Sequence, residues 1–112
     1  MTVTVKVLVP AKLVVAAQTT QYTATGVTAI IDKFTATNYS ATAATISVNL
    51  VTVSGSAPDN ANLITKTKTL QASEVYTFPE LVGQVLGIGD FISTAASTGS
   101  AINMRVSGRE VT

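Results

Sequence analysis

Apolar residues in this chain recur largely at every second position, the mark of β-strands with one buried side. Val3, Val5, Val7 and Val9 share one face of a first strand over residues 2–9, with Thr2, Thr4 and Lys6 opposite. Pro10 has no N–H to give to a ladder, so pairing must break or shift there. A short apolar run over 13–17 follows, and the hydroxyl-rich segment 18–25 reads as a loop or edge segment. Residues 27–38 are the best long strand, with Ile30, Asp32, Phe34 and Ala36 on one face and Val27, Ala29 and Ile31 on the other. Residues 45–53 place Ile46, Val48 and Leu50 inward, and 54–60 is the clearest loop.

Residues 63–70 set Thr65, Thr67 and Thr69 against Ile64, Lys66, Lys68 and Leu70, as expected of an edge strand guarded by lysines. The chain turns at 71–74 into a short strand over 75–78. Pro79 and Glu80 suit a first helical turn, so at most one short helical turn is expected near 79–86. Strands over 90–95, 102–106 and 110–112 complete the pattern, with a break at Ser107 and Gly108. Seven or more short strands at spacings of about 8–15 residues, with no long helical period, predict an all-β fold. The expectation is a single antiparallel β-sandwich domain spanning 1–112, with 1–10 an N-terminal arm or edge strand; its residues 2–9 either pair with a neighbour or form an ordinary first strand of the sandwich.

Composition narrows the chemistry. Histidine, cysteine and tryptophan are all absent, which removes the usual base near neutral pH and the usual soft-metal ligands. Charged residues make up 12% of the chain against the roughly 25% of an average globular protein. A surface so short of charge has little to hold neighbours apart, and suits a protein packed against copies of itself or a large partner. Solvation by hydroxyls alone would give the same composition. The net charge is +1 and the basic residues are scattered, so no nucleic-acid partner is expected. Residues 7–17 are apolar, but Pro10 and Lys12 interrupt them and the run is shorter than the roughly 20 residues of a membrane helix. That run reads as strand; no membrane partner is expected.

Candidate sites are thin. Glu80 and Asp90 flank Gly87-Ile88-Gly89 as a possible carboxylate pair, although Asp90 is more simply a cap on turn amides. The glycine pair lacks the third glycine and following helix of a nucleotide fingerprint. Asp59, Asn60 and Asn62 are a sparse ligand set for calcium. Serines are plentiful, yet a nucleophile needs a base. The reading is therefore no enzyme, no catalytic residue, no metal and no cofactor. Tyr76 and Phe78 share a face and are expected to anchor the core. Tyr22 and Tyr39 fall in loop-like segments and join Val3, Val5, Val7 and Val9 as candidate intersubunit contacts.

Five segments carry a resemblance: AQTTQYTA at 17–24, IIDKFTATN at 30–38, FPELVGQVL at 78–86, GDFIS at 89–93 and SGREVT at 107–112. Together they resemble small virion structural proteins of tailed bacteriophages and prophages. The likeness extends over most of the chain and is weakest in residues 1–10. It implies an immunoglobulin-like or jelly-roll-like sandwich serving as a capsid decoration or cement protein that bridges shell subunits. The implied partners are copies of itself and other virion proteins, the major capsid protein above all. The implied location is the virion, after synthesis in the host cytoplasm. A tail or head-to-tail connector component, or a surface Ig-like module that touches the host, are the alternatives.

Overall fold

Residues branched at Cβ suit extended, half-buried backbone, and threonine and valine are the commonest residues of the strands. A computed structural model describes residues 1–52 and 56–112. Its strands are β1 (Val3–Leu13), β2 (Thr19–Thr23), β3 (Thr28–Asn38), β4 (Ala44–Val51), β5 (Leu63–Leu70), β6 (Val75–Tyr76), β7 (Val85–Leu86), β8 (Phe91–Ala96) and β9 (Ile102–Val111). The expected strand end at Val53 and loop start at Ser54 and Gly55 lie outside the described residues.

Two antiparallel sheets pack face to face. The first runs β1-β9-β3-β6, with β7 also on β3, and the second runs β2-β8-β4-β5. The first strand thus lies beside the last, the second beside the penultimate, and β1 and β2 fall in different sheets. That interleaving is the strand order of a jelly roll. An immunoglobulin sandwich keeps its first two strands in one sheet. Of the two architectures expected, the jelly roll is the one formed.

Phe34, Phe78, Ile31, Ile46, Ile92 and Met104 are among the large side chains that fill the gap between sheets. Each such side chain contributes about 1.5–3 kcal/mol when fully buried. β9 alternates cleanly, sending Ile102, Met104, Val106 and Gly108 inward. It also runs unbroken through Ser107 and Gly108, where the sequence suggested a gap.

Both neighbours of β9 bulge against that same level. β3 carries an extra residue between Ile31 and Lys33, and β1 carries one between Val7 and Val9. Gly108 is what lets β9 close on both neighbours there: a Cβ on it would run into the Ile30 carbonyl oxygen of β3 and lie 2.9 Å from Leu8 Cδ1 of β1. The bulges reset which side chains face inward. In β3 the buried set changes from Ala29 and Ile31 to Phe34 and Ala36, so Ile30 and Asp32 do not share the face of Phe34. In β1 both Leu8 and Val9 are buried, whereas Val3, Val5 and Val7 point outward beside Val111, Arg109 and Ser107. The four valines are therefore not one buried face. A second register shift between Val9 and Lys12 carries the strand past Pro10.

The same device acts in β5. Ile46 pairs with Lys68 and Val48 with Thr65, leaving one extra residue where Thr67 takes a φ of 42°. Lys66 and Lys68 therefore part: Lys66 joins the outer face, and the Lys68 ammonium sits 4.7 Å over the Tyr76 ring. The second sheet begins with β2 as an edge strand within the segment read as loop or edge.

No helix forms near 79–86. The Leu81 amide donates to the Phe78 carbonyl at 3.0 Å and the Gln84 amide to the Leu81 carbonyl at 3.2 Å, giving successive turns. The Gly83 amide then donates to the Ile31 carbonyl at 2.7 Å, docking the turns on β3 between β6 and β7. Phe78 holds a φ of 44°, unusual for a bulky residue, and burial of its ring between Phe34 and Tyr76 (4.6 Å to each centroid) holds it there. Tyr76 and Phe78 do anchor the core, as their shared face suggested.

Candidate functional site

β1 ends the first sheet, and among the described residues no strand pairs with its outer side. Thr2 and Thr112 each donate an amide to the other's carbonyl at 3.0 Å, which makes them a hydrogen-bonded antiparallel pair. Such pairs alternate along a ladder, so Thr4 and Lys6 also direct their backbone groups at β9. The N–H and C=O groups of Val3, Val5 and Val7 consequently point away from the sheet. These residues are open twice over. Their backbone is free, and their side chains are exposed, Val5 to 84%.

The valines continue into a wider apolar face. Register sets Val5 beside Arg109, Arg109 beside Ile30, and Ile30 beside Val85 on the outer side of the first sheet. Val3 and Val111 form the next row. Arg109 interrupts this face as one half of an ion pair, its Nε and Nη2 donating to Asp32 at 2.9 and 2.8 Å. Exposed apolar side chains in contiguous rows, unlike scattered ones, mark interaction surfaces.

Two tyrosine–glutamate–lysine groups close the flanks of the sandwich. Between β1, β9 and β2, the Tyr22 hydroxyl donates to Glu110 Oε2 at 2.5 Å and Lys6 Nζ donates to Oε1 at 3.2 Å. Burial and the bond to Glu110 raise the Tyr22 pKa, while that same bond, helped by Lys6, lowers the Glu110 carboxyl. Between β5 and β6, the Tyr76 hydroxyl donates to Glu80 Oε1 at 2.7 Å and the Thr65 hydroxyl to Oε2 at 2.6 Å. The bond to Glu80 and burial push Tyr76 up to about 12. Burial works against ionisation of Glu80, but the Thr65 and Tyr76 hydroxyls and the Lys68 charge outweigh it and its pKa falls.

The remaining candidates are used inside the fold. Glu80 belongs to the β5–β6 flank, while Asp90 Oδ2 accepts the Gly87 amide at 2.8 Å and caps its turn. Nothing in these bonds joins the two carboxylates in one site. Asn62 Oδ1 accepts from Asn49 Nδ2 at 2.7 Å and from the Asp59 amide at 3.0 Å, and Asp59 Oδ1 accepts the Ala61 amide at 2.8 Å. Those oxygens shape a turn. Among the described residues no group of three or more His, Cys, Asp or Glu gathers to hold a metal. Beside that turn lies a shallow depression of about 300 Å³ lined by Gln18, Ser47, Asn49 and Lys66, among others, with no aromatic ring in its described lining.

The proposed contact residues separate accordingly. Val3, Val5 and Val7 present themselves, and Tyr39 is exposed, with its hydroxyl donating to the Ser100 carbonyl. Val9 is only 1% exposed and belongs to the core. Tyr22 lies in a strand rather than a loop, and its hydroxyl is spent on Glu110. Sequence reasoning missed Lys6 and Glu110 as partners, since 104 residues separate them and no local pattern links them. No family model matches the chain, and neither a curated protein nor a solved structure does.

Proposed function

We propose that this protein is a non-enzymatic structural part of a phage virion, a capsid decoration or cement protein that steadies the shell through subunit-bridging contacts. Its partners are copies of itself and the major capsid protein. One observation carries the reading: an 11-residue edge strand whose Val3, Val5 and Val7 are open in both backbone and side chain, beside an exposed apolar sheet face. Edge strands of this kind bind by adding a strand or lying against a partner's sheet. A chain with only 12% charged residues adds support, because close packing of many copies meets little electrostatic resistance. The phage-like segments add more, and jelly rolls recur in viral capsid domains, an analogy of fold alone.

The test is imaging of virions made with and without the gene for this chain. Density distributed over the whole shell, and lost with the gene, is the expected result. Density confined to one vertex would move the protein to the tail or head-to-tail connector. Virions that never contain the chain would end the virion reading.

A further inference from the structure

We infer that two copies pair antiparallel through β1 about a two-fold axis at Val5. The inference rests on β1 being a contact edge and not on the virion assignment. Its basis is the alternation set by the Thr2–Thr112 pair, which leaves the backbone groups of Val3, Val5 and Val7 unpaired at the sheet edge. An axis at Val5 sets Val5 against Val5 of the partner subunit, Val3 against Val7 of the partner subunit, and Val7 against Val3 of the partner subunit. Each of these pairs exchanges two backbone hydrogen bonds. An axis at Thr4 keeps only two valine pairs and sets Val7 against Met1 of the partner subunit, and an axis at Lys6 sets two ammonium groups against each other. An axis at Val7 drives the partner into the Leu8–Val9 bulge and Pro10, which lacks a donor, and an axis at Val3 shortens the overlap.

Side chains fit the same register. All three valine pairs lie on the outer face, where cross-strand β-branched pairs pack well. On the inner face Lys6 falls opposite Thr4 of the partner subunit, so like charges do not meet across the axis, and Lys6 keeps its own Glu110. Self-complementarity of this kind is what a two-fold interface requires. It also argues for a second copy over an unrelated strand, which would have no reason to match this spacing. Two five-stranded sheets would then join into one continuous sheet, with the apolar outer face spanning both copies.

The experiment uses the full chain. Sedimentation over a range of concentrations is expected to show a monomer–dimer equilibrium. Val5→Lys places like charges on the axis while leaving the core and the β1–β9 hydrogen bonds made by Thr4 and Lys6 in place, and is expected to weaken the dimer by at least about tenfold, with an unchanged circular dichroism spectrum. The chain has no cysteine of its own, so single cysteines report the register. Facing residues in a hydrogen-bonded antiparallel pair sit about 5.5 Å apart at Cα, within disulfide reach. Val5→Cys is therefore expected to cross-link with itself. Val3→Cys alone is not, but Val3→Cys mixed with Val7→Cys is. A chain that stays monomeric, a Val5→Lys dimer as tight as the parent, or Val3→Cys cross-linking as readily as Val5→Cys would each overturn the pairing. A monomer found on decorated shells overturns the pairing alone, and a dimer absent from virions overturns the virion reading alone.

Discussion

The two flanks of this sandwich are closed by the same three side-chain types, yet they stand in different surroundings. At the β5–β6 flank, Tyr76, Glu80 and Lys68 are joined by the buried Thr65, and the aromatic stack of Phe78 and Phe34 lies directly behind Tyr76. At the β1–β2 flank, Tyr22, Glu110 and Lys6 hold the sheets together beside a strand whose outer side has no partner among the described residues. One flank is sealed from behind by aromatic rings, although β5 and β6 end their sheets there just as β1 and β2 do on the other side. The other borders the valines of β1, open in side chain as well as backbone.

Phe78→Ala should break the sealed flank most severely, since it empties the centre of the aromatic stack. A loss of about 3–5 kcal/mol is expected in denaturant unfolding. A loss under about 1 kcal/mol would show that the two flanks are equally peripheral. Gly108→Ala strikes the other side, because its methyl group would meet backbone at the level where β1 and β3 bulge. About 1–3 kcal/mol of destabilisation is expected from overpacking, with hydrogen exchange rising first in β1.

Tyr76→Phe and Tyr22→Phe each delete one hydroxyl bonded to a glutamate and should each cost about 0.5–1.5 kcal/mol. A loss at one flank and none at the other, measured by thermal unfolding, would show that only one of these bonds holds the sheets together. The smallest effect is that of pH. Glu80 and Glu110 have folded pKa values below the ordinary 4.5, so their contribution is complete above that value and is lost as pH falls through the lowered ones. Tyr76 is raised from 10.0 to about 12, so its contribution is complete below 10.0 and lost as pH rises toward 12. Stability plotted against pH should therefore fall at both ends, and Tyr76→Phe should flatten part of the alkaline limb.

Elements bordered by strong turn residues were legible in the sequence. The bounds of β5 coincide with the expected 63–70, because Asn60 and Asn62 precede it and a turn at 71–74 follows. The aromatic anchor Phe78 could also be read from its spacing of two from Tyr76, although β6 ends at Tyr76 and Phe78 reaches the core from the turn beyond it. What stayed hidden was the side each residue would face. A bulge adds one residue without any compositional mark, so the unbroken period of Val3, Val5, Val7 and Val9 gave no warning that Val9 would turn inward alone. Lys66 and Lys68 were separated in the same way by Thr67. The candidate site was legible as an edge, whereas its open backbone groups depend on the pairing of Thr2 with Thr112, a contact between opposite ends of the sequence.

That same pair decides how the molecule bears load. Thr2 and Thr112 face each other across the start of an antiparallel ladder, so a force pulling them apart acts along the hydrogen bonds and opens β1 from β9 one rung at a time, like a zipper. A force running along the length of β1 instead shears every rung together and meets far greater resistance. Tension is best carried along the strand edges, and a tether placed at residues 2 and 112 would find the molecule at its mechanically weakest.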